Sequence, residues 1–175
     1  QSIDWKKNKF TDKEFKDHLL NSDFKKLNDL DFYEKLASKK ILELDNKKIN
    51  IINYFDADYP TSLKNIKNPP LNLYYKGNLN NFKNNNVAII GSRKPSAIGK
   101  HLAFKSSQLL SKNSFNIISG LALGCDTEGH KGAITENGKT LAVLPGPIDE
   151  IYPSSNSDLA EEILKKDGCL ISEYL

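Results

Sequence analysis

The sequence predicts an α/β protein built on a doubly wound, mostly parallel sheet, preceded by a small helical region. Three observations carry that expectation. Val87-Ala-Ile-Ile-Gly-Ser-Arg93 runs four apolar residues straight into a glycine, a hydroxyl and an arginine, as a buried parallel strand does when it ends at a ligand-facing turn. The same grammar recurs in Phe115-Asn-Ile-Ile-Ser-Gly120, Thr140-Leu-Ala-Val-Leu-Pro-Gly146 and Cys169-Leu-Ile-Ser-Glu173. Helix-like segments separate these runs, and the resulting βαβ crossovers bring every strand's carboxyl end to one rim of the sheet.

Residues 1–45 read as helical. Thr11 with Glu14 forms a capping box flanked by the apolar pair Phe10 and Phe15, and Asp31 with Glu34 is a second start signal. The lysines of this region form either a solvated face or a contact surface for nucleic acid. Ile49–Phe55 is a β-rich run, Pro60 suits a first helical turn, and Leu71–Tyr75 is another short strand. The Asn-rich stretch Asn78–Asn86 reads as a linker or tight loop. Residues 46–86 are therefore an extension leading into the main domain, which occupies 87–175.

Within that domain, Pro95-Ser96 opens a helix of about 15 residues with Ile98, Leu102 and Leu109 at helical spacing and Asn113 as C-cap. A second helix starts at Cys125-Asp126-Thr127 and stops near Asn137-Gly138. The last, about Asp158–Lys166, has acids first and lysines last, as the helix dipole favours, with Gly168 after it. Four strands are fewer than such sheets usually have, so the domain is expected to continue beyond Leu175.

Composition excludes some classes and leaves others open. With 38% hydrophobic and 27% charged residues the chain can bury a sizeable core, and its net charge of +3 says little about partners. Cys125 and Cys169 have no metal-ligand or redox spacing, and Cys169 opens a core strand, so packing and a reducing compartment are expected. No apolar run approaches the roughly 20 residues of a membrane span, and the start Gln-Ser-Ile-Asp-Trp-Lys-Lys lacks the apolar core of a signal peptide. Arg93 is the only arginine among many lysines. A planar guanidinium clamps phosphate bidentately in a way that lysine does not.

The chemistry-bearing residues fall at the strand ends. In Gly91-Ser92-Arg93-Lys94, the glycine frees the backbone for close approach, the serine is a donor, and two cations stand beside a helix N-terminus; the reading is anion binding, the alternative a plain strand-to-helix turn. Ser119-Gly120 through Gly124 and Asp126 suits a loop that hugs a ligand's backbone. Neither the dinucleotide-binding glycine spacing nor the P-loop pattern is present. His130 shares a helix face with Asp126, and a hydrogen bond between them that fastens helix to loop is expected rather than catalysis. Prolines stiffen the loop around Gly146; Tyr152 serves either as a stacking surface for a base or as packing of a turn, with Asn156 close behind.

Taken together, Ile90-Gly-Ser-Arg93, Ile118-Ser-Gly-Leu-Ala-Leu-Gly-Cys-Asp126, His130-Lys-Gly-Ala133, Thr140-Leu-Ala-Val-Leu144, Asp149-Glu-Ile-Tyr-Pro153, Asn156 and Leu170-Ile-Ser-Glu-Tyr174 resemble, in order and spacing, the DNA-processing protein A family (DprA, also called Smf). The upstream Tyr59-Pro60, Leu63, Pro69-Pro70 and Gly77 resemble that family's lead-in, so the likeness covers about Asp58 to Leu175. The resemblance implies an extended Rossmann-like fold and a cytoplasmic protein that binds single-stranded DNA and helps load the RecA recombinase. It implies no nucleotide cofactor, no metal and no catalysis, and a homodimer in the complete protein. It places Arg93 in a positive DNA-holding pocket lined by Ser92, Ser119 and Gly120; the reading of the motifs adds Gly91 and Lys94, with Gly124, Asp126, His130, Gly146, Tyr152 and Asn156 in support. Pro145-Gly-Pro147, Gly129 and Cys125 depart from the family's usual residues. The rival reading is a lysine-decarboxylase-like Rossmann enzyme or sensor acting on nucleotide derivatives, whose Pro-Gly-Gly-x-Gly-Thr loop Pro145-Gly-Pro-Ile-Asp149 does not match.

Overall fold

The computed structural model describes residues 30–83 and 85–175; the expected start signals at Thr11 and Glu14 lie outside them. The chain divides into two units between Glu43 and Leu44. In the first, α1 (Leu30–Asn46) is already helical at Asp31, which therefore stands inside the helix rather than at its cap. Its last residues, from Leu44, belong to the second unit.

The second unit is organised by one six-stranded sheet. Its strands are β1 (Asn50–Asn53), β2 (Asn72–Gly77), β3 (Asn86–Ala88), β4 (Asn116–Ser119), β5 (Thr140–Val143) and β6 (Cys169–Ser172), ordered β1-β2-β6-β5-β4-β3. β3, β4, β5 and β6 are parallel, while β2 pairs antiparallel with both β1 and β6. The α/β, Rossmann-like sheet is as expected, and the extension is hydrogen-bonded into it through β1 and β2. The helices are α2 (Thr61–Lys64), α3 (Ala97–Lys112), α4 (Cys125–Thr135) and α5 (Ser157–Lys165).

Because the parallel strands follow chain order across the sheet, right-handed crossovers put α3, α4 and α5 on one face. Ala142 and Leu170 point into that layer with Ile134, Leu159 and Ile163. Their strand neighbours Leu141, Cys169 and Ile171 point the other way, as the two-residue period of a strand requires. That second face is covered by the lead-in segment, through Tyr59, Leu63 and Leu79, rather than by a crossover helix. Tyr59 is buried, and its hydroxyl donates to the Pro70 carbonyl at 2.7 Å. Cys169 packs there as expected, and burial pushes its thiol up to about 12.

Two expectations are sharpened. The first concerns α3, whose capping is as read: the Ser96 hydroxyl accepts from the Gly99 amide at 3.1 Å, and the Asn113 side chain donates to the Leu109 carbonyl at 2.8 Å. Its apolar stripe is nevertheless exposed, with Ile98 at 72%, Leu102 at 58% and Leu109 at 64%. The buried face is Ala103, Ser107 and Ser111. The cause is the close approach of α3 to α4, where a side chain on Gly132 would run into the Phe104 carbonyl and the Ser107 hydroxyl donates to the Gly129 carbonyl at 2.5 Å. Small residues, not large ones, fit such an interface.

The second concerns Asn78–Asn86, read as a linker or a tight loop, which is the tight loop. It holds a 3-10 turn at Leu79–Phe82, and the Asn78 and Asn81 amides donate to the Asp167 carboxylate at 3.2 and 2.9 Å. Those donors, with Lys139, hold the Asp167 carboxyl below its usual range.

Candidate functional site

Three chain segments leave the carboxyl ends of parallel strands side by side. β3 runs out through Ile89, whose amide still donates to the Ile118 carbonyl at 3.0 Å, into the turn that carries Arg93. β4 gives way to the loop Gly120–Gly124, and β5 to the proline-rich loop that ends at Tyr152 and Pro153.

These turns are braced from within. One Asp126 carboxylate oxygen accepts from the Gly120 amide at 3.1 Å and the Ala122 amide at 3.4 Å. The Thr127 hydroxyl donates to the Ala122 carbonyl at 2.7 Å, and the Asn156 amide donates to the Leu121 carbonyl at 2.8 Å and to Thr127 Oγ1 at 2.9 Å. The Arg93 turn is then locked onto this loop. The Cys125 amide donates to the Ser92 carbonyl at 3.1 Å, and the Lys94 amide donates to the Ser92 hydroxyl at 3.1 Å. Gly124, at φ +84°, allows the approach, since a Cβ there would meet the Ser92 carbonyl oxygen and lie 2.7 Å from the Pro95 Cδ. Only glycine combines that backbone angle with so near a neighbour.

The result is two adjoining cavities that share Arg93 and Leu123. One, ≈ 390 Å³, is walled mainly by Leu123, Val143, Leu144, Pro145, Tyr152 and Pro153, with Arg93, Gly120, Ala122 and Asp126 completing it. The other, ≈ 470 Å³, is basic: Arg93, Lys94 and Lys100 line it with Gly124, Thr127 and Asn156, against one acid, Glu128. Among the described residues none of the three cations has a carboxylate partner. A further cavity of ≈ 280 Å³ lies away from this rim, by Asp58, Tyr75 and Lys83, and there the lysine already pairs with Asp58 at 2.9 Å.

The rim therefore unites Arg93, Lys94, Gly120, Gly124, Asp126, Tyr152 and Asn156. It does not use the rest of the expected set in the same way. Ser119 is buried and its hydroxyl donates to the Ile89 carbonyl at 2.5 Å, so it splints β3 to β4. Gly91 leaves room for Cys125, whose Sγ would lie 2.7 Å from a Cβ at that position. Ser92 shapes the turn, and the Gly146 carbonyl accepts from the Ser172 hydroxyl at 2.6 Å.

The expected Asp126–His130 hydrogen bond is replaced by two others. Asp126 serves the backbone amides, and His130, fully buried, sits 2.7 Å through Nδ1 from the Thr140 hydroxyl. That hydroxyl donates to the Ile117 carbonyl at 2.9 Å, so Nδ1 carries the imidazole proton, and Nε2 has no partner among the described residues. Burial lowers the His130 pKa to about 3. Leu123, Val143, Pro145 and Lys100 were not anticipated as site residues. The one local signal is the position of Lys100 in the first turn of the helix that follows Arg93.

Comparison with known proteins decides the family. A family model described as DNA recombination-mediator protein A matches residues 50–175. The chain belongs to that family. Protein Smf of Borreliella burgdorferi is 38% identical over 172 residues, covering 95% of this chain and 52% of its own length. DNA processing protein DprA of Streptococcus pneumoniae is 38% identical over 133 residues, 76% of this chain and 46% of the relative. Its solved structure aligns with a TM-score of 0.69 at 36% identity, covering 78% of this chain and 47% of that one. DNA processing protein A of Helicobacter pylori, solved for its single-stranded DNA binding mode, aligns with a TM-score of 0.64 at 30% identity, covering 73% and 56%. The chain thus spans about half the length of these members of the recombination-mediator family.

Proposed function

We propose that this chain binds single-stranded DNA along the rim and acts as a recombination mediator that helps load RecA onto incoming or exposed single strands. The observation that carries the reading is the position of the chain's one arginine. Its guanidinium has no acidic partner among the described residues and stands where a basic cavity meets an apolar one. Phosphate on Arg93, Lys94 and Lys100 gives sequence-independent affinity, and Tyr152 with Pro145 offers a face to a base. The Helicobacter pylori relative's single-stranded DNA binding mode supports the same ligand.

The reading is binding without catalysis. Supporting it, His130 is buried and neutral, and one Asp126 carboxylate oxygen is held by two backbone amides. No described helix is long and apolar enough to cross a membrane, and we place the protein in the cytoplasm, where its substrate is. In the complete protein we propose a homodimer.

The test is a titration of labelled single-stranded DNA and the matching duplex at two salt concentrations, beside an assay for base release from nucleoside monophosphates. Single strands are expected to bind in preference to duplex, with affinity falling as salt rises and no base released. Base release, or affinity for DNA that ignores salt, sinks this reading in favour of an enzyme of nucleotide derivatives.

A further inference from the structure

Two side chains, Arg93 and Leu123, line both cavities of the rim. Leu123 is the apolar one of the two and is 47% exposed, so it stands as a ridge where the two cavities meet. Its footing is rigid. Leu121, two residues earlier, is fully buried, Gly124 is pinned beneath the Arg93 turn, and Asp126 holds the amides of Gly120 and Ala122. The polarity of the two sides differs: Tyr152 and Pro145 on one, Lys94 and Lys100 on the other, with Arg93 reaching both.

Resting on the single-stranded DNA reading, we propose that Leu123 is a wedge that splits the stack between two successive bases of the bound strand. One base enters the apolar cavity against Tyr152. The phosphate that follows it lies on Arg93, and the next nucleotide turns away over the lysines of the basic cavity. The physical reason is geometric and energetic together. A ridge between two sites joined by one guanidinium holds adjacent nucleotides apart, so bases that were stacked on each other exchange that contact for protein surface. A duplex cannot make this exchange without losing its pairs as well, and the wedge therefore supplies selectivity for single strands that lysines and arginine alone do not.

The experiment uses short oligonucleotides carrying a tandem pair of 2-aminopurines at successive steps. Circular dichroism reports the exciton couplet that exists only while the two bases stack on one another, and anisotropy reports binding. Saturation with the unaltered chain is expected to abolish the couplet at one step of the strand. Leu123→Ala is expected to bind about tenfold more weakly, through lost apolar contact, and to leave the couplet in place at saturation. Leu123→Met, which keeps a ridge of similar length, restores its loss. The exposure of Leu123 makes both variants compatible with the fold, and an unchanged urea midpoint checks this. A couplet that persists at every step while the unaltered chain is saturated overturns the wedge and leaves single-strand binding standing. Absence of any binding overturns both.

Discussion

Gly124→Val is expected to destabilise the sheet unit by about 3 kcal/mol and to remove single-strand binding with it. The residue sits at φ +84°, and any Cβ built there meets the Ser92 carbonyl oxygen and the Pro95 ring. A β-branched side chain at that angle is strained by itself, and relieving the collision means lifting the Arg93 turn away from the Gly120–Gly124 loop. The hydrogen bond from the Cys125 amide to the Ser92 carbonyl is lost in the same movement. Urea unfolding measures the first effect and anisotropy with labelled single strands the second. A destabilised variant that binds with unaltered affinity would show that the two turns need not touch for Arg93 to work.

Acid is expected to weaken the fold well above the range in which carboxylates protonate. His130 is neutral when folded, with a pKa lowered to about 3 by burial, and returns to about 6.5 when the chain unfolds. The unfolded state therefore binds the extra proton between those values. The stability held by neutral His130 is complete above about pH 6.5 and is lost progressively as pH falls towards 3, amounting to about 2 kcal/mol at pH 5. Asp149, held low by its hydrogen bond from Lys47, and Asp167 lose their contributions only below the ordinary carboxylate range, so they do not account for this window. The check is the urea midpoint near pH 7 and near pH 5 for the chain and for His130→Gln. The variant is expected to be less stable at neutral pH and nearly flat across the window. An equal slope in both proteins would assign the acid sensitivity elsewhere.

What the sequence made legible was local. Four apolar runs ending in small, polar or charged residues gave the parallel strands and their common rim, because a buried strand must be apolar along its length and its end must turn. Arg93 stood out because its chemistry differs from that of the many lysines, whatever surrounds it. The other half of the site was not legible in this way. Leu123 and Val143 look like any core residue in a run, and only the depth of the turn decides that they emerge at the surface.

Ser119 was expected with Gly120 in the turn that lines the pocket; it is buried at that strand end, and its hydroxyl bonds the Ile89 carbonyl of the neighbouring strand. The exposed stripe of α3 shows that periodicity finds an apolar face without saying whether anything covers it. Asp126 and His130 share a helix face, yet each has a better partner in another element, backbone amides for the acid and Thr140 for the imidazole. Spacing along a helix offers a contact and does not oblige it.

The proposed function turns on Arg93 holding single-stranded DNA at this rim. The most direct measurement is fluorescence anisotropy of a labelled single strand titrated with the chain and with Arg93→Glu at two salt concentrations. Arg93 is exposed and its side chain has no partner among the described residues, so reversing its charge is expected to leave the urea midpoint unchanged. Affinity is predicted to fall by at least about tenfold, and the dependence on salt to become shallower, as one phosphate contact is lost. A folded Arg93→Glu variant that binds as tightly as the unaltered chain, with the same salt dependence, would contradict the claim.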